Sequence, residues 1–163
     1  KVQFGNSSRY KLRRSIKKLE KSFDIAYQMY FGNISREEYN LIFDEFFRLL
    51  TARSIEKGIK DNRYLEKKDY YHKLVRPLIL QKKASLFVIY NNKKPIDVCL
   101  NFHAGTIIFQ LIRTYDINYS KFNLGYIDLI KQIEWSLINK IEFITFSYGK
   151  FYWKKRILIS NIS

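Results

Sequence analysis

Leu12, Ile16 and Leu19 recur at helical spacing behind Ser7 and Ser8, and this pattern predicts an amphipathic helix over Ser7 to Lys21. Ser22 to Phe31 alternates loosely and is rich in aromatics, which predicts a short strand ending at Gly32. In Ser35-Arg36-Glu37-Glu38 a cap residue is followed three positions later by Glu, and Leu41, Ile42, Phe46, Phe47 and Leu50 continue at helical spacing, so a helix is expected to about Arg53. Ile55 to Tyr64 is polar and weakly patterned, and reads as a connector. From Asp69 a second helix is expected through Tyr70, Leu74, Leu78 and Leu80, with a kink or break at Pro77.

At Ser85 the hydrophobic period changes from 3.6 to 2. Leu86 to Tyr90 and Ile96 to Phe102 read as strands joined by the turn residues Asn91-Asn92-Lys93-Lys94. Gly105 interrupts the run, and Thr106 to Tyr115 is a third strand, so the three form an antiparallel meander. A long helix is expected through Leu124, Ile127, Leu129, Ile130, Ile133, Trp135, Leu137 and Ile138, with Gly125 near its N-terminus. Ile141 to Tyr148 is then a strand reached by a right-handed crossover, hence parallel to the last strand of the meander. The expected architecture is α/β: a mixed sheet with an antiparallel meander, flanked by helices, in a single domain over 1–163.

Composition narrows the partners. The chain has 163 residues, 47% of them hydrophobic, enough to fill one core. Its 30 Lys plus Arg against 15 Asp plus Glu leave a net charge of +15, which favours anionic partners: nucleic acid, phosphate-bearing small molecules or anionic polymers. An aromatic content of 17% excludes a disordered basic tail. The single cysteine, Cys99, excludes an internal disulfide framework and a multi-cysteine zinc site, and suggests a reducing, cytoplasmic setting. With only His72 and His103 and no cluster of ligands at metal spacing, no metal site is expected. No apolar run reaches the length of a bilayer span. The chain begins at Lys1 rather than Met, and it reads as a candidate C-terminal half of a longer protein.

Three segments carry candidate chemistry. The first helix presents Arg9, Lys11, Arg13, Arg14, Lys17, Lys18 and Lys21 against Glu20 alone, either a solvated face or a contact for an anion or polymer. Asp116 to Tyr126 joins a strand to a helix N-terminus, where free backbone amides and the positive end of the helix dipole suit a phosphate, and Lys121 adds a point charge. Phe146 to Arg156 leaves a strand through Gly149 and interleaves aromatics with cations, which suits either base stacking or a basic rim over the core.

In order and spacing, these features resemble the GNAT acyl-CoA N-acyltransferase superfamily, in its CelD-type and BioF2-like branch. The resemblance is carried by the basic run Arg9 to Arg14, Arg53 near the end of the middle helix, the hairpin turn and apolar stretch at Asn92 to Asp97, Tyr115-Asp116, Asn123-Leu124-Gly125 with Leu129, and Phe146-Ser147-Tyr148-Gly149 followed by Trp153-Lys154. It covers about Ser7 to Arg156. The superfamily's phosphate loop reads Arg/Gln-x-x-Gly-x-Gly/Ala, whereas this chain has Ser120-Lys121-Phe122-Asn123-Leu124-Gly125 and keeps only the second small position. Trp153-Lys154 stands where the branch usually has Tyr-Lys.

The resemblance implies acyl transfer from acetyl-CoA or another acyl-CoA, without a metal, to an amine or hydroxyl of an anionic or sugar-related acceptor of envelope or polysaccharide metabolism. It implies a pyrophosphate cradle from Lys121, Asn123, Leu124, Gly125 and Tyr126 with Lys154, a base in Asp116, and an acid in Tyr148 or Tyr152. Three other readings stand beside it: a Fem-type transferase that takes an aminoacyl group from tRNA, a basic nucleic-acid-binding module, and an acyltransferase fold that retains only ligand binding.

Overall fold

In the computed structural model, which describes residues 6–146 and 157–158, six strands lie side by side in chain order. They are β1 (Ile25–Tyr30), β2 (Ala84–Asn91), β3 (Lys94–Ala104), β4 (Ile107–Tyr115), β5 (Phe143–Phe146) and β6 (Ile157–Leu158). Neighbours are antiparallel except β4 and β5, which run parallel across Ile107–Gln110 and Phe143–Phe146. Helix α5 (Leu124–Ile138) makes the crossover that this parallel pairing demands.

Helices cover both faces of the sheet. On one face α2 (Arg36–Glu56), the four-residue α3 (Arg63–Glu66) and α4 (Lys68–Leu80) close the larger core, where Phe43, Phe46 and Ile79 meet Leu86, Val98 and Leu100 with no exposure. On the other face α1 (Asn6–Ser22) and α5 lie over Phe87, Ile89, Ile96 and Cys99 through Leu19, Leu124 and Ile127. Two register shifts decide which side chains reach which face. Between β3 and β4, Leu100 pairs with Ile112 but Asn101 pairs with Gln110, so Leu111 is an extra residue in β4. Because strand side chains alternate, that insertion reverses the parity of β4: Ile108 packs on the α5 side, whereas Ile112 joins the α2 core and Arg113 turns towards α5.

The elements agree closely with the periodicity, and the differences have local causes. Ser35 caps α2 as expected, its hydroxyl accepting from the Glu38 amide at 3.1 Å while donating to the Glu38 carboxylate at 3.2 Å. The helix continues to Glu56, and the presumed connector contains α3, started by Asn62 accepting from the Tyr64 amide at 3.1 Å. Pro77 does not break α4. It falls in the last turn, where only its own missing amide is lost, and its carbonyl still accepts from Gln81 at 3.1 Å. Of the last expected strand, β5 takes Phe143–Phe146, and residues 147–148 lie outside the described part of the chain. Between Tyr115 and α5 the chain forms an unexpected 3-10 turn over Ile117–Phe122.

The β2–β3 hairpin holds both Asn92 and Lys93 at positive φ, 48° and 65°. A lysine there carries a Cβ penalty that glycine does not. Lys93→Gly is expected to stabilise the domain by about 1 kcal/mol, read as a raised urea midpoint at unchanged slope; an unchanged or lowered midpoint would contradict this reading of the turn.

Candidate functional site

Strand β4 ends at Tyr115, and the chain passes through the 3-10 turn into α5 at the same end of the sheet. Asp116 starts the turn: its amide donates to the Ile96 carbonyl at 2.8 Å, and its buried carboxylate accepts from the Asn118 amide at 3.0 Å. Asn123 ends it in the left-handed conformation, φ 56° and ψ 43°, which lets the backbone reverse directly into α5. The Asn123 side chain does not cap the helix but reaches Ser15 of α1 at 3.4 Å. Within α5 the amides of Tyr126 and Ile127 both donate to the Asn123 carbonyl, at 3.0 and 3.3 Å, so the amides of Leu124 and Gly125 precede the first internal acceptor of the helix.

Cations gather around this start. The ammoniums of Lys18 on α1 and Lys121 on the turn each lie 5.4 Å from the centre of the buried Phe122 ring. At the end of β4 the Tyr115 ring takes the Arg53 guanidinium at 4.5 Å and the Arg113 guanidinium at 5.2 Å. Tyr126, in the first turn of α5, is 59% exposed, and Leu124 is buried. Of the residues expected to form the cradle, Lys121, Asn123, Leu124, Gly125 and Tyr126 are therefore contiguous at one helix start, beside Asp116. Tyr148, Tyr152 and Lys154 lie outside the described residues.

Gly125 has a steric reason to lack a side chain. A Cβ built there would come within 3.0 Å of Arg113 Nη1. Arg113 passes beneath the helix start to reach two carboxyls that are essentially without exposure, bonding Asp97 directly and approaching Asp128 at 3.8 Å. Two buried carboxylates around one guanidinium carry an excess negative charge. Burial pushes the Asp97 carboxyl well above the ordinary range against the pull of Arg113, with Asp128 adding to the rise, and burial likewise raises Asp128.

From this cluster a line of polar side chains runs between α5 and the sheet. Gln132 donates to Asp128 at 2.9 Å, and Asn101 donates to Gln132 at 2.9 Å and to Ser85 at 3.1 Å. The Ser85 hydroxyl in turn meets His103 Nε2 at 2.7 Å. His103 stacks on Phe31 with ring centres 4.5 Å apart, and burial lowers its pKa to about 4. Cys99 donates to the Asn101 side-chain oxygen at 3.3 Å, and burial pushes its thiol well up, so it is an inert member of this seam.

Reading the sequence for apolar periodicity missed the seam. Its signal was there in Asp128, Gln132 and Ser136, three polar residues spaced by four along one face of α5, and in Asp97 and Asn101, which lie on the same face of one strand. Among the described residues, no cluster of His, Cys, Asp or Glu is arranged to hold a metal, and no helix is long and apolar enough to cross a membrane.

Solved acetyltransferase structures share this fold. The N-acetyltransferase PaiA from Thermoplasma acidophilum, in complex with coenzyme A, superposes with a TM-score of 0.60 at 11% identity, over 77% of this chain and 80% of that one. A GNAT-family acetyltransferase from Staphylococcus aureus Mu50 gives 0.55 at 15% identity, over 76% and 74%. An aminoglycoside acetyltransferase from an uncultured soil metagenomic sample, in complex with sisomicin, gives 0.57 at 12% identity, over 80% of each chain. At these identities the likeness establishes the fold. A comparison with curated proteins returns no match. The model of the acetyltransferase (GNAT) domain family matches residues 6–155, and the chain belongs to that family. It is a GNAT-type acyltransferase, and the donor of this class is acyl-CoA.

The far end of the polar seam gives a pH signature. An unfolded histidine titrates near 6.5, and His103 in the fold titrates at about 4. Its contribution to stability is complete above pH ~6.5 and is lost as pH falls towards 4, because the unfolded chain then takes up the proton first. His103→Gln, which retains a polar partner for Ser85, should flatten the fall in unfolding free energy between pH 6.5 and 4 measured by urea denaturation. An equally steep fall in the variant would show that His103 is not the source.

Proposed function

We propose that this domain takes an acyl group, in the simplest case acetyl, from acyl-CoA and passes it to an amine or hydroxyl of an anionic or neutral, sugar-related acceptor in envelope or polysaccharide metabolism. The observation that carries the donor half is the start of α5. The Leu124 and Gly125 amides precede the helix's own acceptors, and Lys18 and Lys121 both lie 5.4 Å from the Phe122 ring centre, which suits the diphosphate of coenzyme A. Tyr126 is exposed alongside, and Lys154 would add a further cation in this reading. The acceptor half rests on charge. At +15 the chain repels polycations such as aminoglycosides and attracts anionic polymers, while it sets no electrostatic barrier to neutral ones.

In the reaction the acceptor nitrogen or oxygen attacks the thioester carbonyl, its proton leaves to a base, and the carbon–sulfur bond breaks to release coenzyme A thiol once the sulfur is protonated. Asp116 is the proposed base, through the carboxylate oxygen that does not cap the Asn118 amide. Tyr148 or Tyr152 is the proposed acid. A second reading, an aminoacyl-tRNA donor, is favoured by one observation: Lys11, Arg13, Arg14, Lys17, Lys18 and Lys21 are all exposed on α1, the helix that touches the start of α5.

Acetyl-CoA is expected to raise the melting temperature of the chain, and Gly125→Val to reduce that shift by displacing the Arg113 guanidinium. No shift at millimolar ligand in a folded sample would overturn the donor assignment. The tRNA reading is separated by salt, since a polyphosphate contact weakens by roughly a thousandfold or more between 50 and 200 mM while a single diphosphate weakens far less.

Asp116→Asn retains an oxygen for the Asn118 amide but cannot accept the proton. If Asp116 is the base, kcat should fall at least about a hundredfold with KM little changed. A variant with near-normal kcat would assign Asp116 to capping alone.

A further inference from the structure

At the opposite end of the α2–α4 layer lies a hollow of about 340 Å³ that the acyl-transfer site does not use. Arg36, in the first turn of α2, lines it, whereas Arg53 near the end of the same helix stacks on Tyr115. Seventeen positions separate them along the helix, which puts roughly 26 Å between the hollow and the Tyr115 end of β4.

The lining of this hollow is strongly one-sided in charge. Arg36 comes from α2, Lys73 and Arg76 come from α4, and no Asp or Glu lines it. None of these three cations takes part in an ion pair among the described residues. Arg76 donates to the Ile34 carbonyl at 3.3 Å through Nη2, while its buried Nε has no acceptor. The neutral lining is arranged to donate as well. Asn40 presents its Oδ1 to His72 Nε2 at 2.9 Å, which commits its oxygen and leaves its amide hydrogens for a ligand. The floor is rigid: Tyr39 is 1% exposed, and its hydroxyl donates to the His72 carbonyl at 2.7 Å.

We propose that this hollow binds the phosphate monoester of a small soluble molecule. A phosphate monoester carries close to two negative charges at neutral pH and three acceptor oxygens, which match three converging cations and the Asn40 amide better than a carboxylate does. The exposed guanidinium of Arg36, in no ion pair among the described residues, supplies the planar fork that suits such oxygens. The volume leaves room beyond the phosphate for a group of about the size of a sugar.

The test is calorimetric titration of the full chain in low-salt buffer with glucose 6-phosphate, inorganic phosphate and, separately, vesicles containing phosphatidate. Saturable one-to-one binding of the sugar phosphate is expected, weakened at least about tenfold in Arg36→Ala and again in Arg36→Ala/Lys73→Ala, with the coenzyme A affinity unchanged. Both are exposed side chains, so these variants keep the fold even if Arg76→Gln does not. Three outcomes overturn the proposal: no saturable binding of either soluble probe, equal binding by the double variant, or displacement of the sugar phosphate by coenzyme A, which would locate it at α5. Binding to the vesicles alone overturns the soluble source. Failure of coenzyme A to bind would leave the sugar-phosphate titration readable, because the two sites share no residue.

Discussion

The guanidinium of Arg113, held between Asp97 and Asp128, is the constraint around which the α5 end of the domain is organised. It joins β3, β4 and α5 in one contact, and it does so directly beneath the first turn of α5. A cation at a helix N-terminus is unfavourable by itself. Two carboxyls at almost no exposure compensate it, and their elevated pKa values are the cost of gathering so much charge away from water. Removing the guanidinium would strand both carboxyls, whereas removing one carboxyl would leave a simple pair. The arrangement also accounts for Gly125, whose missing side chain is the space through which Arg113 passes.

That contact depends on the bulge that takes Leu111 out of the ladder of β4. Were Leu111 paired in regular alternation, Arg113 would face the apolar core under α2 and Ile112 would turn towards the polar side chains of α5. The bulge therefore keeps the α2 core hydrocarbon and the α5 seam polar. Helix α1 completes the site from outside. Ser15 meets Asn123, Glu20 accepts from the Tyr27 hydroxyl at 3.0 Å, and Leu19 is fully buried, so a row of cations is fixed beside the start of α5.

Much of this was legible in the sequence, because each level of the pattern agreed with the next. The 3.6 period with Ser35 and Glu38 located α2, the change to period 2 at Ser85 located the meander, and Gly125 marked the start of α5. The parallel placement of β5 followed from the length of the crossover. What periodicity could not show was register. Neither Leu111 nor Ile96 announces itself as an inserted residue, and only the pairing reveals that Arg113 and Asp97 share a face. Buried polar chains are equally hidden, since Ser85, Asn101 and Gln132 read as ordinary solvent-facing residues until the helix is docked. The hollow between α2 and α4 was invisible for the same reason: Arg36, Lys73 and Arg76 are separate in sequence and meet only through antiparallel packing of two helices.

The two faces of the sheet thus adhere by different physics. Lifting α2 would wet a large expanse of Phe and Leu and carry a large heat-capacity increment. Lifting α5 would hydrate carboxyl, amide and hydroxyl groups along with Phe87, Ile89, Ile96 and the helix's own Leu124 and Ile127, so the polar contribution would offset part of the apolar one. Opening of α5 would accordingly carry a smaller heat-capacity change than opening of α2, and it would be marked by proton release when the Asp97 and Asp128 carboxyls regain their solvent.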